Sequence, residues 1–182
     1  MFGRFPLFGG CRRCVAPAQA YILTMPPRAL ARWLPQLGGV LYLPAHGPGG
    51  AVHAAGLLVE QADLAPLHRS QRLHAVSLVT PDGPREWADV IDANSHICAR
   101  IYLLPGTDYC AWDAMLRTAV GHRGGAAARP AFRASGARLA RFRQRRLAGL
   151  DVLDLSPCAT NRLDLRVAGE IVRDEAVVLP VP

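Results

Sequence analysis

Between residues 73 and 104 short apolar segments alternate with turns, and this alternation constrains the fold more than any other feature. LHAVSLVT (73–80) has the β-branched and apolar composition of a strand. The turn Pro81-Asp82-Gly83-Pro84 follows, and REWADVI (85–91) is predicted to be the second arm of a hairpin. After another turn at Asp92-Ala93-Asn94, SHICARIYLL is predicted to be a third strand. Successive strands joined by short turns favour antiparallel pairing.

The other segments predict helices and further strands without a regular β-α-β order. Short helices are expected over 26–37, from Asp63 to His68, and from a cap at Thr107 or Asp108 to about Val120. A longer helix is expected over 130–149, between Pro130 and Gly149. The segment AVHAAGLLVEQ fits a helix or a strand, and its Ala and Leu content favours the helix. VLYLP, DVLDL, RLDLRV and AVVLP predict strands. We therefore predict an α+β fold: a single domain with a mixed or mainly antiparallel sheet and three to four helices.

A chain of 182 residues corresponds to one ordinary domain. Residues 1–25 are expected to form a loosely ordered leader, because Arg12 and Arg13 interrupt the apolar run that a signal peptide needs. The domain is then 26–182, and GHRGGAAAR (121–129) is expected to be an internal mobile linker or loop. No apolar run approaches the roughly 20 residues that span a bilayer. We expect a cytoplasmic protein with no membrane partner.

The positive charge of the chain is concentrated in one segment. All 21 basic residues are Arg, and the absence of Lys excludes a P-loop of the G-x-x-x-x-G-K-[ST] kind and Schiff-base lysine chemistry. Between Thr118 and Leu150 there are eight Arg and no Asp or Glu, whereas the rest of the chain has 13 Arg against 14 acidic residues. The formal net charge of +7 therefore originates in this segment.

The predicted helix over 130–149 carries most of these arginines. At 100° per residue its apolar side chains gather on one side, and the flank and opposite face carry Arg133, Arg138, Arg141 and Arg145. This basic face has three interpretations: a solvated surface, a site for nucleic acid or another polyanion, or a surface that docks on the acidic C-terminal segment of the same chain. Residues 151–182, which the third interpretation requires, carry six acids and three Arg.

The segment HGPGG (46–50) is a candidate anion-binding loop. The backbone amides of Gly47, Gly49 and Gly50 can point at a phosphate, a carboxylate or the oxyanion of an acyl-transfer intermediate. The sequence lacks the G-x-S-x-G elbow that accompanies such loops in esterase-like folds. A flexible turn is therefore the competing interpretation.

The predicted strand SHICARIYLL places functional side chains at alternate positions. With a period of two residues, one face of the strand carries His96, Cys98, Arg100 and Tyr102. A Cys beside a His can act as a thiolate nucleophile, and Cys110 lies in the first turn of the next helix, where the helix dipole favours a thiolate. The candidate catalytic residues are His96, Cys98 and Cys110. Burial of small Cys side chains is the structural alternative.

The sequence predicts no metal site and assigns no cofactor. The five Cys include a single C-x-x-C, at Cys11 and Cys14, with no second pair spaced to complete a zinc site. The six His include no H-x-x-x-H or H-E-x-x-H spacing. Reduced thiols in a cytoplasmic protein are expected.

Two functions follow from these features. The working prediction is a non-enzymatic binding or accessory protein whose basic helix over 130–149 meets nucleic acid, another polyanion or an acidic protein. The alternative is a small cytoplasmic hydrolase or transferase in which HGPGG binds an anionic group, and His96, Cys98 and Arg100 line the pocket. Convergence of 46–50 with 96–102 in one pocket favours the enzyme. An exposed, contiguous Arg surface favours binding.

Overall fold

One sheet with helices on both faces makes up the fold. The computed structural model describes residues 19–46, 57–80, 83–118, 123–124 and 132–179. The strands in these ranges are β1 (Gln19–Thr24), β2 (Gly38–Pro44), β3 (Leu57–Val59), β4 (Arg72–Thr80), β5 (Gly83–Ile91), β6 (Ile97–Thr107), β7 (Arg123–Gly124), β8 (Arg138–Leu147) and β9 (Leu150–Pro157). The α-helices are α1 (Pro27–Trp33), α2 (Tyr109–Arg117) and α3 (Arg162–Asp174), and 3₁₀ helices span Leu34–Leu37 and Ala62–Arg69.

The strand order is β3-β9-β8-β2-β6-β5-β4-β1-β7. Every neighbouring pair is antiparallel except β3 and β9, which are parallel. The successive strands β4, β5 and β6 pair with one another, as the alternation of apolar segments and turns predicts. The α+β class with a mainly antiparallel sheet is confirmed.

Each face of the sheet packs against its own set of helices. On one face, called the α1 face, Leu30 of α1, Trp112 of α2 and Leu64 of the second 3₁₀ helix join a buried apolar cluster. On the opposite face, called the α3 face, Ala168 and Ile171 of α3 pack in a second cluster with residues of β2 and β6. The sheet is therefore the middle layer between two apolar cores.

Several predicted elements are present in the structure. The short helix predicted over 26–37 is α1 followed by the first 3₁₀ helix, and VLYLP lies in β2. The helix predicted from Asp108 is α2, and the Asp108 carboxylate accepts the backbone N–H of Ala111 at 2.9 Å. The helical segment near Asp63 is the 3₁₀ helix Ala62–Arg69, although its N-cap residue is Gln61.

The folded part begins earlier than residue 26. Gln19–Thr24 form β1, which pairs along its whole length with β4. The predicted boundary between leader and domain therefore moves to the N-terminal side of β1, and residues 1–18 lie outside the described part. Within the predicted linker 121–129, Arg123–Gly124 pair with β1 as β7. The other residues of that linker also lie outside the description.

The predicted helix over 130–149 is wrong. Its second half is β8, and a two-residue turn, Ala148-Gly149, connects it to β9. The φ angles of the two turn residues are +48° and +82°, as a type I′ hairpin turn requires. The apolar residues also fit a period of two, because Ala140 and Phe142 are both buried. Pairing with β2 on one side and β9 on the other stabilises the strand.

The strand predicted for RLDLRV (162–167) is also wrong, because this segment begins α3. The Asn161 side chain accepts the backbone N–H of Asp164, and the Asp164 carboxylate accepts that of Asn161. This reciprocal capping box fixes the start of the helix. Apolar and charged residues alternate over the six residues of RLDLRV, as in a strand. The buried side chains that follow have helical spacing, however, and their packing selects the helix: Ala168, Ile171 and Val172.

Two further predictions fail in the described part of the chain. AVVLP was predicted to be a strand, but Val177–Leu179 belong to none, and Pro180 lies outside the description. AVHAAGLLVEQ (51–61) was predicted to be a helix, but Leu57–Val59 form β3. Residues 51–56 lie outside the description. In both cases a short apolar run carries no information about the partner that decides its conformation.

Replacement of Ala148 by Asn tests the hairpin. We expect Ala148→Asn to raise the free energy of unfolding by about 1 kcal/mol, because Asn tolerates the left-handed conformation better than Ala. If residue 148 lay in a helix, the same change would lower the free energy of unfolding by up to about 0.7 kcal/mol. Urea unfolding of the two proteins gives the sign. A decrease on substitution would contradict the hairpin.

Candidate functional site

A bulge in β6 separates the side chains that were predicted to share one face. The β5–β6 register passes from Val90–Ala99 to Ile91–Ile97, so Cys98 is an extra residue on β6. Cys98 consequently packs in the same buried cluster as Ala99. Tyr102 belongs to the cluster on the α3 face. The bulge breaks the period of two, and the prediction of one functional face is wrong.

His96 and Cys98 do not form a catalytic pair. The His96 side chain is 78% exposed, and its Nδ1 lies 3.6 Å from the Asp92 carboxylate. The Cys98 side chain is fully buried, and its Sγ lies 3.9 Å from the carbonyl oxygen of His96. Burial raises the pKa of the Cys98 thiol, and this effect outweighs the nearby Arg69, which lowers it. The site therefore favours a neutral, packed thiol over a thiolate nucleophile.

Cys110 lies in the first turn of α2, where the sequence predicts it, and its side chain is exposed. His96 precedes β6 and Cys110 follows it, so the eleven residues of the strand separate them along the chain. The three candidate catalytic residues are therefore distributed over a turn, a buried bulge and a helix start.

Thiol labelling tests this arrangement. We expect iodoacetamide at neutral pH to alkylate Cys110 and to leave Cys98 unmodified in the folded protein, because Cys110 is exposed and Cys98 is buried. Both should react in denaturant. Peptide mass spectrometry measures the extent of modification at each residue. Rapid modification of Cys98 in the folded protein would restore the catalytic-thiol hypothesis.

The HGPGG loop begins beside the backbone of Cys98. The N–H of Ala45 donates to the carbonyl of Cys98 at 2.9 Å, and the N–H of His46 donates to that of Arg133 at 2.8 Å. The candidate anion-binding residues Gly47, Gly49 and Gly50 lie outside the described residues. The contact with the 96–102 segment is thus made by the backbone of Ala45, the residue before HGPGG. The side chains that were expected to line a shared pocket, however, point to the core or to solvent.

Arg100, expected in that pocket, is buried in an ion cluster. Its guanidinium binds Asp89 through two hydrogen bonds, of 2.5 and 3.2 Å, and Glu175 through one of 2.9 Å. Glu175 is the C-cap residue of α3 and also accepts the hydroxyl of Tyr102. Burial lowers the pKa of the guanidinium, but the hydrogen bonds and charge of Asp89 outweigh burial and raise it above its ordinary value. The cation is therefore held permanently charged.

Two aromatic rings complete the environment of Arg100. Its Cζ lies 4.7 Å from the centroid of Phe132 and 5.9 Å from that of Trp87. The indole N–H of Trp87 also donates to Asp89 at 3.4 Å. The cluster thus connects β5, β6, the end of α3 and the segment before β8. Asp89 and Glu175 have no local sequence signal that marks them as partners of Arg100, since only the β5–β6 register and the path of α3 place them there.

Removal of Asp89 tests how much this cluster contributes to the stability of the fold. We expect Asp89→Ala to lower the free energy of unfolding by about 3–5 kcal/mol, because it leaves a buried guanidinium without its bidentate partner. The control Glu60→Ala removes a carboxylate from an exposed pair with Arg145, and should cost at most about 1 kcal/mol. Urea unfolding measures both. Equal losses would show that burial does not distinguish the two pairs.

The predicted anion-binding arginines are found on or near β8, at exposed positions. Arg141 lies opposite Gly39 on the α3 face, and alternation places Arg143 and Arg145 on that face as well. Arg138 lies on the other face, with its Nε 2.5 Å from the Asp63 carboxylate. Arg133 precedes the strand. The helical grouping of Arg133, Arg138, Arg141 and Arg145 is therefore wrong, because a strand presents alternate residues to opposite faces.

The acidic C-terminal segment, residues 151–182, supplies part of the surroundings of β8. β9 pairs with β8 and places Asp154 opposite Arg143 and Asp151 opposite Arg146. Neither pair forms an ion pair within 4 Å in the described part of the chain, because Asp154 accepts the Gln61 side chain and Asp151 is buried. The basic segment thus lies against residues 151–157 as a paired strand, and not as a helix face that docks through its charge.

A cavity of about 390 Å³ lies where the start of α3 meets β2 and β6. The carboxylate of Asp164 accepts the N–H of Gly106 at 2.9 Å. A Cβ added at Gly106 would lie 2.8 Å from the Oδ2 atom of that carboxylate. A side chain at this position would therefore displace the Asp164 carboxylate. Burial raises the pKa of the Cys158 thiol in the same wall. Because Asp164 already provides negative charge at the helix start, Arg141 does not make this cavity a concentrated positive site.

No family model, curated protein or solved structure matches the chain. Among the described residues, no group of three or more His, Cys, Asp or Glu side chains has an arrangement that could hold a metal ion. None of the helices in the described ranges is long and apolar enough to cross a membrane. Function is therefore inferred from the geometry of the surface.

Proposed function

We propose that this protein binds an anionic partner through the β8 arginine surface, defined as Arg141, Arg143, Arg145 and Arg146. The observation that carries the proposal is the exposure of all four side chains on one strand that contains no acidic residue. Exposed, closely spaced cations are the electrostatic requirement for binding a polyanion.

The neighbouring acids leave most of this charge available. Within the described residues, Arg141, Arg143 and Arg146 form no ion pair with a carboxylate within 4 Å. Arg145 binds Glu60 at 2.7 Å, but the two side chains are 57% and 46% exposed. A pair so open to solvent contributes at most about 1 kcal/mol, so an incoming anion can replace Glu60.

The same geometry argues against the hydrolase alternative. In that model Cys98 and Arg100 face a pocket, yet Cys98 is packed in the α1-face core and Arg100 is saturated by Asp89 and Glu175. The 390 Å³ cavity contains none of the three candidate catalytic residues. Binding is therefore the better-supported function.

Matched charge removal tests the proposal. The triple variant Arg141→Gln, Arg143→Gln, Arg145→Gln is compared with a control triple at other exposed arginines: Arg28→Gln, Arg32→Gln, Arg117→Gln. Both lose the same net charge. We expect binding to labelled poly-L-glutamate and to a duplex oligonucleotide to weaken about tenfold or more in the β8 triple only, because the contacts are local.

Salt dependence is the second measurement. For the unmodified protein, affinity should fall steeply as salt rises, and the slope of log affinity against log salt should be shallower in the β8 triple. Fluorescence anisotropy measures both quantities. The proposal is removed if the protein binds neither polyanion at low salt, or if the two triple variants lose the same amount of affinity.

A further inference from the structure

One edge of β8 continues beyond its partner strand. β2 pairs with β8 only over Arg138–Arg141, whereas β8 runs on to Leu147. The first 3₁₀ helix, Leu34–Leu37, immediately precedes β2 and packs beside the next part of β8 without forming a ladder with it. The end of β8 therefore has β9 as its only paired strand within the described ranges.

The turn geometry shows which backbone groups of this edge are open. In the type I′ turn the carbonyl of Leu147 accepts the N–H of Leu150, so Leu147 and Leu150 form a hydrogen-bonded pair. Hydrogen-bonded pairs alternate along an antiparallel ladder, and Arg145 therefore also directs its backbone groups at β9. Gln144 and Arg146 direct theirs away from β9. No backbone hydrogen bond outside the ladders is formed by Gln144 or Arg146 in the described residues.

We infer that this edge accepts an extended acidic peptide segment of another protein as an additional strand. This inference rests on the proposed function of the β8 arginine surface. Edge backbone groups supply the hydrogen bonds in this mode of recognition, and the side chains supply selectivity. The added strand would lie beside Arg145 on one face and beside Gln144 and Arg146 on the other. Acidic side chains on both faces of the peptide complement these arginines.

The same charges select against other partners. A second copy of β8 pairing at this edge would place Arg beside Arg, which is destabilising, so the edge does not favour self-association. Single-stranded nucleic acid is normally held by aromatic stacking, whereas the large apolar side chains exposed at the described end of the hairpin are Leu147 and Leu150. An acidic peptide satisfies both the charge and the open backbone groups.

A proline substitution separates backbone pairing from charge. Gln144→Pro removes an outward N–H without changing charge, and Gln144→Ala is its matched control, since Ala keeps the N–H. With a labelled peptide of the repeat Glu-Glu-Thr-Thr, which as a strand has carboxylates on both faces, we expect Gln144→Pro to bind about tenfold more weakly than Gln144→Ala, the loss expected for hydrogen bonding worth about 1.4 kcal/mol. Gln144→Ala lacks the same side chain but keeps the N–H, and is therefore the reference for this loss. Circular dichroism verifies that both variants are folded.

Modified peptides give an independent test on the unmodified protein. The same peptide is methylated at alternate backbone nitrogens, in each of the two phases, and keeps its charge. The phase that methylates the N–H groups facing β8 cannot pair and should bind about tenfold more weakly, whereas the other phase should bind like the unmodified peptide. Full binding of both methylated peptides, or of the peptide to Gln144→Pro, would overturn strand addition while leaving the proposed function intact. A protein that binds the oligonucleotide but does not bind the peptide would also overturn strand addition, and would identify nucleic acid as the partner. Absence of binding to every polyanion would instead remove the proposed function.

Discussion

The buried ion cluster around Arg100 is the interaction on which the arrangement of the α3 face depends. A charged guanidinium that is 1% exposed requires its hydrogen bonds to be satisfied locally, and Asp89 and Glu175 meet that requirement from two different elements. Asp89 lies on the neighbouring strand, whereas Glu175 is reached only if α3 ends at the correct place over the sheet. The cluster therefore couples the β5–β6 register to the docking of α3.

The bulge at Cys98 determines which side chains meet that cluster. Without the extra residue, Cys98 and Arg100 would share a face and the α3 side would carry a thiol beside a cation. With it, Cys98 joins the apolar α1-face core and Arg100 remains with Asp89. A single inserted residue thus separates a packed thiol from a buried charge. The chemistry suggested by their alternate positions is not assembled in the described structure.

The sequence was sufficient for elements whose signals are local, and insufficient where a distant partner decides. The β4–β5–β6 succession follows from composition and turns, and α2 follows from its cap at Asp108. Residues 138–147 satisfy both a helical and a strand pattern, and only pairing with β2 and β9 selects the strand. For the site, exposed arginines could be predicted from the charge map. The cluster of Arg100 with Asp89 and Glu175 could not, because it depends on register and on the docking of α3.

The change from helix to strand alters what the arginines can recognise. On a helix all backbone groups are satisfied internally, and a basic face offers only side-chain charge. On a strand at a sheet edge, charge is combined with open N–H and C=O groups at a fixed spacing. Arg145 and Arg146 then flank the same backbone stretch from opposite faces. A partner that matches only the charge leaves those backbone groups to water, whereas an acidic strand satisfies charge and backbone together.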